Sequence, residues 1–145
     1  MSAQIQIEYS DVGGLPVDII KASCLNTENS SKELILIIPG NPGIVQYYVK
    51  FVDELFKELG GSIPVWAISH SCHSSMYLDK NDISCGPLDL EIEHKLRFLE
   101  LKIPQDWTIT LVGHSIGCYM ILSLLEILTV ILYTYKLLFH RVKYF

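Results

Sequence analysis

Ser115 is the residue of this sequence best placed to attack a substrate. It lies in Val112-Gly113-His114-Ser115-Ile116-Gly117, with an apolar run over residues 108–112 before it and a long apolar stretch after it. That order predicts strand, sharp turn and helix. A serine set as Gly-x-Ser-x-Gly at such a junction is a nucleophile elbow. Gly113 and Gly117 belong to the device, because the turn brings strand and helix backbones together and a side chain at either position would clash. The serine hydroxyl then stands on a strained corner at a helix N-terminus, which favours developing negative charge.

Attack on an ester builds a tetrahedral oxyanion, and this needs backbone donors already in place. One expected donor is the N–H of Ile116, the residue after the nucleophile. The second should come from Pro39-Gly40-Asn41-Pro42-Gly43. Pro42 has no N–H to give. Asn41 is the first candidate and Gly43 the second. Alone, this segment reads as a tight turn. Paired with an elbow two strand–helix units later, it reads as an oxyanion loop.

The elements that would carry these residues follow from the patterning. Residues 4–9 alternate, with Ile5, Ile7 and Tyr9 on one face, as in a half-buried strand. Residues 11–16 read as a turn, and residues 17–22 as a second strand closing a hairpin with a long loop. Residues 34–38 are a continuous apolar run, typical of a strand covered on both faces. A helix is expected over 45–59, closed by Gly60-Gly61. A short strand over 64–68 leads into a polar loop over 69–87. Asp89 can then cap a helix reaching about Lys102, with Leu88, Ile92, Leu96, Leu99 and Ile103 as its apolar stripe. Glu91 with Lys95, and Glu93 with Arg97, are acid-before-base pairs one turn apart, expected on its wet face. Two antiparallel strands followed by alternating strands and helices make an α/β fold, parallel beyond its first edge.

The totals narrow the class. The chain has 145 residues, 50% of them hydrophobic and 19% charged, enough for a domain with a real core. A net charge of -5 gives no electrostatic footprint for nucleic acid. The start, Met1-Ser2-Ala3-Gln4-Ile5, has neither a basic region nor an apolar core, so no signal peptide is expected. Cys24, Cys72, Cys85 and Cys118 lack metal-type spacing and are expected as reduced thiols facing the cytosol. His70, Cys72 and His73 follow a strand, at the edge where α/β sites form. With no second ligand pair they read as polar loop residues. Neither metal nor cofactor is expected. His94 is expected either at the helix surface or just behind the site, Cys118 in packing, and Tyr47, Tyr48 and Phe51 in helix–sheet core, with Tyr47 near enough to the loop to line an acyl pocket.

Several stretches together resemble the lipid droplet-associated hydrolase family. They are Ile37-Ile38-Pro39-Gly40-Asn41-Pro42-Gly43, Tyr47-Tyr48-Val49, Pro64-Val65-Trp66-Ala67-Ile68-Ser69-His70, Ile92-Glu93-His94-Lys95-Leu96 and residues 111–119. The resemblance runs from about Leu34 to Leu124. It implies the N-terminal part of an α/β-hydrolase fold and a serine esterase or lipase-like activity on cholesteryl esters or other neutral lipids. It further implies residence on the lipid droplet surface and endoplasmic reticulum, on the cytosolic face. Ser115 falls on the family's nucleophile.

The chain departs from that pattern after the elbow. α/β-Hydrolases supply the triad in the order Ser, then Asp or Glu, then His. Beyond Ser115 there is no Asp; the acid there is Glu126 and the histidine is His140. Glu126 is expected to travel away from the serine along the helix, so no triad acid or base is assigned. One of His70 and His73 could substitute as base, but no acid is evident to orient it. Residues 118–145 contain no Gly, Pro, Asn or Asp, hence no turn signal. We therefore expect a partial hydrolase domain over 1–124 and an apolar, atypical tail over 125–145, as in a truncated or alternatively spliced form that is itself inactive. Residues 116–139 are long enough to span a bilayer, but Glu126 near the middle makes that costly. Interfacial contact or aggregation of an orphaned helix is the reading preferred.

Overall fold

The computed structural model describes residues 4–23, 32–75, 86–135 and 142–143, with 131–135 and 142–143 described by backbone alone. Strands β1 (Gln4–Val12) and β2 (Leu15–Ser23) pair antiparallel through Val12 opposite Leu15. The turn is therefore Gly13-Gly14 alone, shorter than the expected 11–16. Both glycines have positive φ, 63° and 88°, the conformation of a two-residue turn that matches strand twist. Asp11 Oδ1 accepts the Gly14 N–H at 2.9 Å. The expected inward face of β1 is only partly realised. Ile7 and Tyr9 are exposed, and Val12 reaches the core, because β1 is an edge strand.

β3 (Glu33–Ile38), β4 (Val65–Ile68), β5 (Thr108–Gly113) and β6 (Val142–Lys143) complete a sheet of order β1-β2-β4-β3-β5-β6. β2 meets β4 antiparallel, and β4, β3, β5 and β6 run parallel. The α/β class and the antiparallel start on a mostly parallel sheet are as expected. β6 is not: Val142 and Lys143 return to pair with Ile109 and Thr110 although no turn residue announces it.

Helix α1 (Val49–Glu58), entered through a 3-10 turn at Val45–Tyr48, covers one face of the sheet. Val52 and Phe56 pack there on Ile20, Ile37, Val65 and Ala67. Helices α2 (Leu88–Lys102) and α3 (Ile116–Tyr135) cover the other face, where Phe98, Leu99, Met120 and Leu124 meet Leu34, Leu36 and Ile38. Residues 34, 36 and 38 thus face α2 and α3 while 37 faces α1. This is why that strand is apolar throughout rather than alternating.

α2 differs from expectation in two respects. Pro87 is its N-cap, and Asp89 lies in the first turn. The pair Glu91–Lys95, expected on the surface, is buried, and so is the adjacent His94, for which a place behind the site is the alternative expectation; Glu93–Arg97 is exposed. Acid-base spacing is identical for a solvated pair and a buried one, so the pattern could not separate them.

α3 is the long apolar helix foreseen, but it is not orphaned. Met120, Leu124 and Leu128, four residues apart, lie on the core, while Tyr119, Leu122 and Val130 are exposed. The boundary expected after residue 124 falls inside this helix. Among the described residues no helix is long and apolar enough to cross a membrane. The span considered over 116–139 ends outside those residues, as does His140.

Candidate active site

β3 and β5 are neighbours, yet α1 after β3 and α3 after β5 lie on opposite faces of the sheet. Between their C-terminal ends the chain opens a crevice, the switch point where α/β sheets hold ligands. The loop 39–43 and the elbow flank it.

Ser115 has φ 54°, a left-handed conformation that costs a non-glycine residue about 1–2 kcal/mol. The surroundings hold it there. His114 N–H donates to Ile38 O at 3.1 Å, tying the end of β5 to the end of β3. Gly117 N–H donates to His114 O and Cys118 N–H to Ser115 O, each at 2.9 Å, which closes the first turn of α3 around the serine. Any Cβ on Gly117 would overlap the Ile38 carbonyl oxygen, and one on Gly113 would lie 2.7 Å from Cys118 N. Both elbow glycines are thus required by close backbone approach. Ser115 itself is exposed.

The loop crosses directly in front of this corner. A Cβ on Gly40 would lie 2.8 Å from His114 Nδ1 and 3.1 Å from Ser115 Cβ. Asn41 and Pro42 are exposed and joined by a cis peptide bond; Gly43 has φ 85°. Ile116, the other expected donor, opens α3. The fold thus brings Asn41, Gly43, Ser115 and Ile116 to one end of the sheet. Tyr48, taken from the sequence as core, joins loop and elbow: its hydroxyl accepts the Gly40 N–H at 3.0 Å and lies 2.8 Å from His114 Nδ1. A hydroxyl one turn beyond a glycine loop was the only available signal of that role.

Beside this corner lies a cavity of about 490 Å³ walled by the loop, Ile37, Tyr47, Tyr48, Phe51 and His114. Its lining is chiefly apolar. Tyr47 and Phe51, expected in the core, with Tyr47 also near enough to the loop to line a pocket, are 73% and 49% exposed and line this cavity. Tyr47 fails to reach the core because the 3-10 turn carries it past the end of the sheet, and Phe51 because it lies on the side of α1 away from buried Val52 and Phe56.

Behind the loop sits a buried polar cluster that the sequence reading missed. His70, expected to be a solvated loop residue, is 5% exposed; its N–H donates to Gly43 O at 3.0 Å, and its ring occupies the space a Gly43 side chain would need. Neither ring nitrogen of His70 has a hydrogen-bond partner. Burial, then the Lys95 charge, push His70 down to about 4; the same two causes push His94 down to about 4. Burial would raise Glu91, but Lys95 and two donors from Ser71 outweigh it and hold the carboxyl at about 2. Lys95 Nζ lies 3.0 Å from Glu91, and burial lowers its pKa against the pull of that carboxylate. A second buried carboxylate, Asp18, takes Ser74 Oγ at 2.5 Å, Ser75 N–H at 2.9 Å and Gln46 Nε2 at 2.7 Å. Together these bonds pin residues 69–75 beneath the site.

The remaining candidates fall elsewhere. Glu126 is exposed on α3, past its second turn. Cys118 is a free, exposed thiol rather than a packing residue, since its helix position faces away from the sheet. Cys72 is disulfide-bonded, which corrects the expectation of four reduced thiols. Among the described residues no group of three or more His, Cys, Asp or Glu is placed to hold a metal ion.

Comparison with known proteins bears on this geometry. The family model described as lipid-droplet associated hydrolase matches residues 31–139. The chain is 36% identical to the lipid droplet-associated hydrolase of Drosophila melanogaster over 132 residues, which cover 84% of this chain and 42% of the relative. It is 39% identical to the human lipid droplet-associated hydrolase over 107 residues, 66% of this chain and 33% of the relative. The chain thus spans less than half the length of these relatives. Among solved structures, Est1E from Butyrivibrio proteoclasticus, bound to ferulic acid, superposes with a TM-score of 0.64 at 18% identity, over 86% of this chain and 49% of that one. At that identity the likeness is one of fold, that of the α/β-hydrolases.

Proposed function

The chain belongs to the lipid droplet-associated hydrolase family, and from that premise we propose that Ser115 is the nucleophile of a serine esterase acting on neutral lipid esters. The observation that carries this reading is the strained φ of 54° at Ser115, held between Gly113 and Gly117 beside an apolar cavity. Ser115 Oγ attacks the ester carbonyl carbon to form the tetrahedral oxyanion, and its proton passes to the ester oxygen that departs as the alcohol. Collapse expels the alcohol and leaves an acyl-serine, which water then hydrolyses. The N–H groups of Asn41 and Ile116 receive the oxyanion, and the cavity walled by Ile37, Tyr47, Tyr48 and Phe51 takes the acyl chain. An apolar lining supports a cholesteryl ester or another neutral lipid as substrate. The relatives' names support residence on the lipid droplet; the resemblance extends that to the endoplasmic reticulum surface, on the cytosolic face. A boundary near residue 124 between a hydrolase part and a divergent tail is opposed by α3 running through it, by Leu128 in the core and by the family match that extends to residue 139.

A fluorophosphonate probe tests the assignment, since it reacts with activated serines. Labelling is expected for the native chain and lost in Ser115→Ala. Equal labelling of both would sink it.

One observation favours a second reading. Glu126, the acid that follows the nucleophile, is exposed on the far side of α3's second turn rather than beside the crevice. In that reading the chain carries the nucleophile and oxyanion donors without a triad acid and base, and acts at most as a lipid-surface protein. Ester turnover by the purified 145-residue protein, abolished in Ser115→Ala, rules it out.

A further inference from the structure

Two residues matter most in the esterase reading, and each is preceded by one that Tyr48 touches. Gly40 precedes the donor Asn41, and its N–H donates to Tyr48 Oη at 3.0 Å. His114 precedes Ser115, and its Nδ1 lies 2.8 Å from the same oxygen. Gly40 can only donate, so Tyr48 Oη accepts on that side. Placing the hydroxyl proton toward His114 uses every group once, and makes Nδ1 an acceptor with the ring proton on Nε2. The Tyr48 ring meets the His114 ring edge-on, centroids 6.2 Å apart at 61°. The contact is close enough that a Cβ on Gly40 would strike His114 Nδ1.

We propose that Tyr48 is a positioning residue: its hydroxyl locks the oxyanion loop to the nucleophile elbow and fixes His114 as the Nε2–H tautomer, facing the cavity. This rests on the esterase reading for its catalytic consequence, but not for the lock itself. Tyr48 reaches both partners because the 3-10 turn that delivers it starts only two residues after the loop. Without the hydroxyl, the Pro39–Gly40 peptide loses the bond that ties it to the elbow, and the Asn41 N–H one peptide further on drifts relative to Ser115. Displacements well under 1 Å matter for an oxyanion donor.

The test uses the 145-residue chain with 15N-labelled histidine and its Tyr48→Phe variant, which keeps the ring and its packing. Nitrogen NMR should report His114 as a single Nε2–H tautomer in the native chain and as a mixture in the variant. Amide exchange at Gly40 should quicken. Inactivation by a fluorophosphonate should slow roughly three- to tenfold, the rate equivalent of one lost neutral hydrogen bond. His114→Ala removes the other end of the lock, so adding Tyr48→Phe to it should slow labelling further by less than twofold. A protonated Nδ1 in the native chain, or an unchanged tautomer and Gly40 exchange in Tyr48→Phe, overturns the lock whatever the labelling shows. Labelling that survives in Ser115→Ala overturns the esterase reading instead. A native chain that labels at Ser115 at the same rate with and without the Tyr48 hydroxyl overturns the positioning role alone.

Discussion

At Ser115 the chain holds a conformation that its own side chain disfavours, and its neighbours supply the restraint. Gly117 shows the tightness of that restraint, because any Cβ there would overlap the carbonyl of Ile38 and approach Pro39 O to 2.7 Å. Both obstacles are backbone, so neither can rotate away. Gly117→Ala should therefore destabilise the fold by about 1–3 kcal/mol, as overpacking does, and should move α3 away from β3. Urea unfolding measures it; an unchanged midpoint would show that the elbow can relax. Gly14 is the contrasting case. It also has positive φ, but no atom lies within 4 Å of an added Cβ, so Gly14→Asn should cost only backbone strain, at most about 1 kcal/mol, Asn being more tolerant of that conformation than other residues.

At the scale of elements, α2 is the one whose role changed most between sequence and structure. Its acid-base pair at 91 and 95 does not solvate the helix; it supports the residues beneath the site by binding Ser71. Lys95 is fully buried and Glu91 nearly so, and an uncompensated buried charge costs far more than the pair contributes. Glu91→Gln strands Lys95 and should cost about 3–5 kcal/mol. Glu91→Gln combined with Lys95→Met removes both charges and should cost clearly less than the sum of the two single variants. Additive losses in a double-mutant cycle would show that the two side chains do not act as a pair. Glu93→Gln, on the exposed pair, should change stability by at most about 1 kcal/mol.

For the whole molecule, the buried histidines set the acid limit. His70 and His94 are held at about 4 against an ordinary 6.5. Between those values the unfolded chain binds more protons than the folded one, so stability falls as pH drops through that window. Each histidine contributes a slope approaching 1.4 kcal/mol per pH unit. Glu91, at about 2 against 4.5, adds a further loss below about pH 4.5. The unfolding midpoint should drop steeply from pH 6.5 to 4.5, and His70→Gln with His94→Gln should flatten that decline. A midpoint constant across this window in the native chain would show that both rings charge without cost.

Much of this was legible along the chain. Strand, turn and helix around Ser115 could be read because glycine spacing and apolar runs are local properties of the backbone. The same holds for the apolar strand at 34–38, the hairpin and the glycine loop at 39–43. The sequence by itself therefore determined the fold class and where a serine stands at a strand–turn–helix corner. Tertiary structure alone decided what faces what. Whether Glu91 and Lys95 meet water or each other, whether Tyr48 fills core or bridges two loops, and whether His70 is solvated or backs Gly43 depend on segments far apart in the chain. The return of Val142 and Lys143 to β5 belongs with these. Hydrogen-bond partners and burial are properties of contact, and a linear pattern carries spacing without contact.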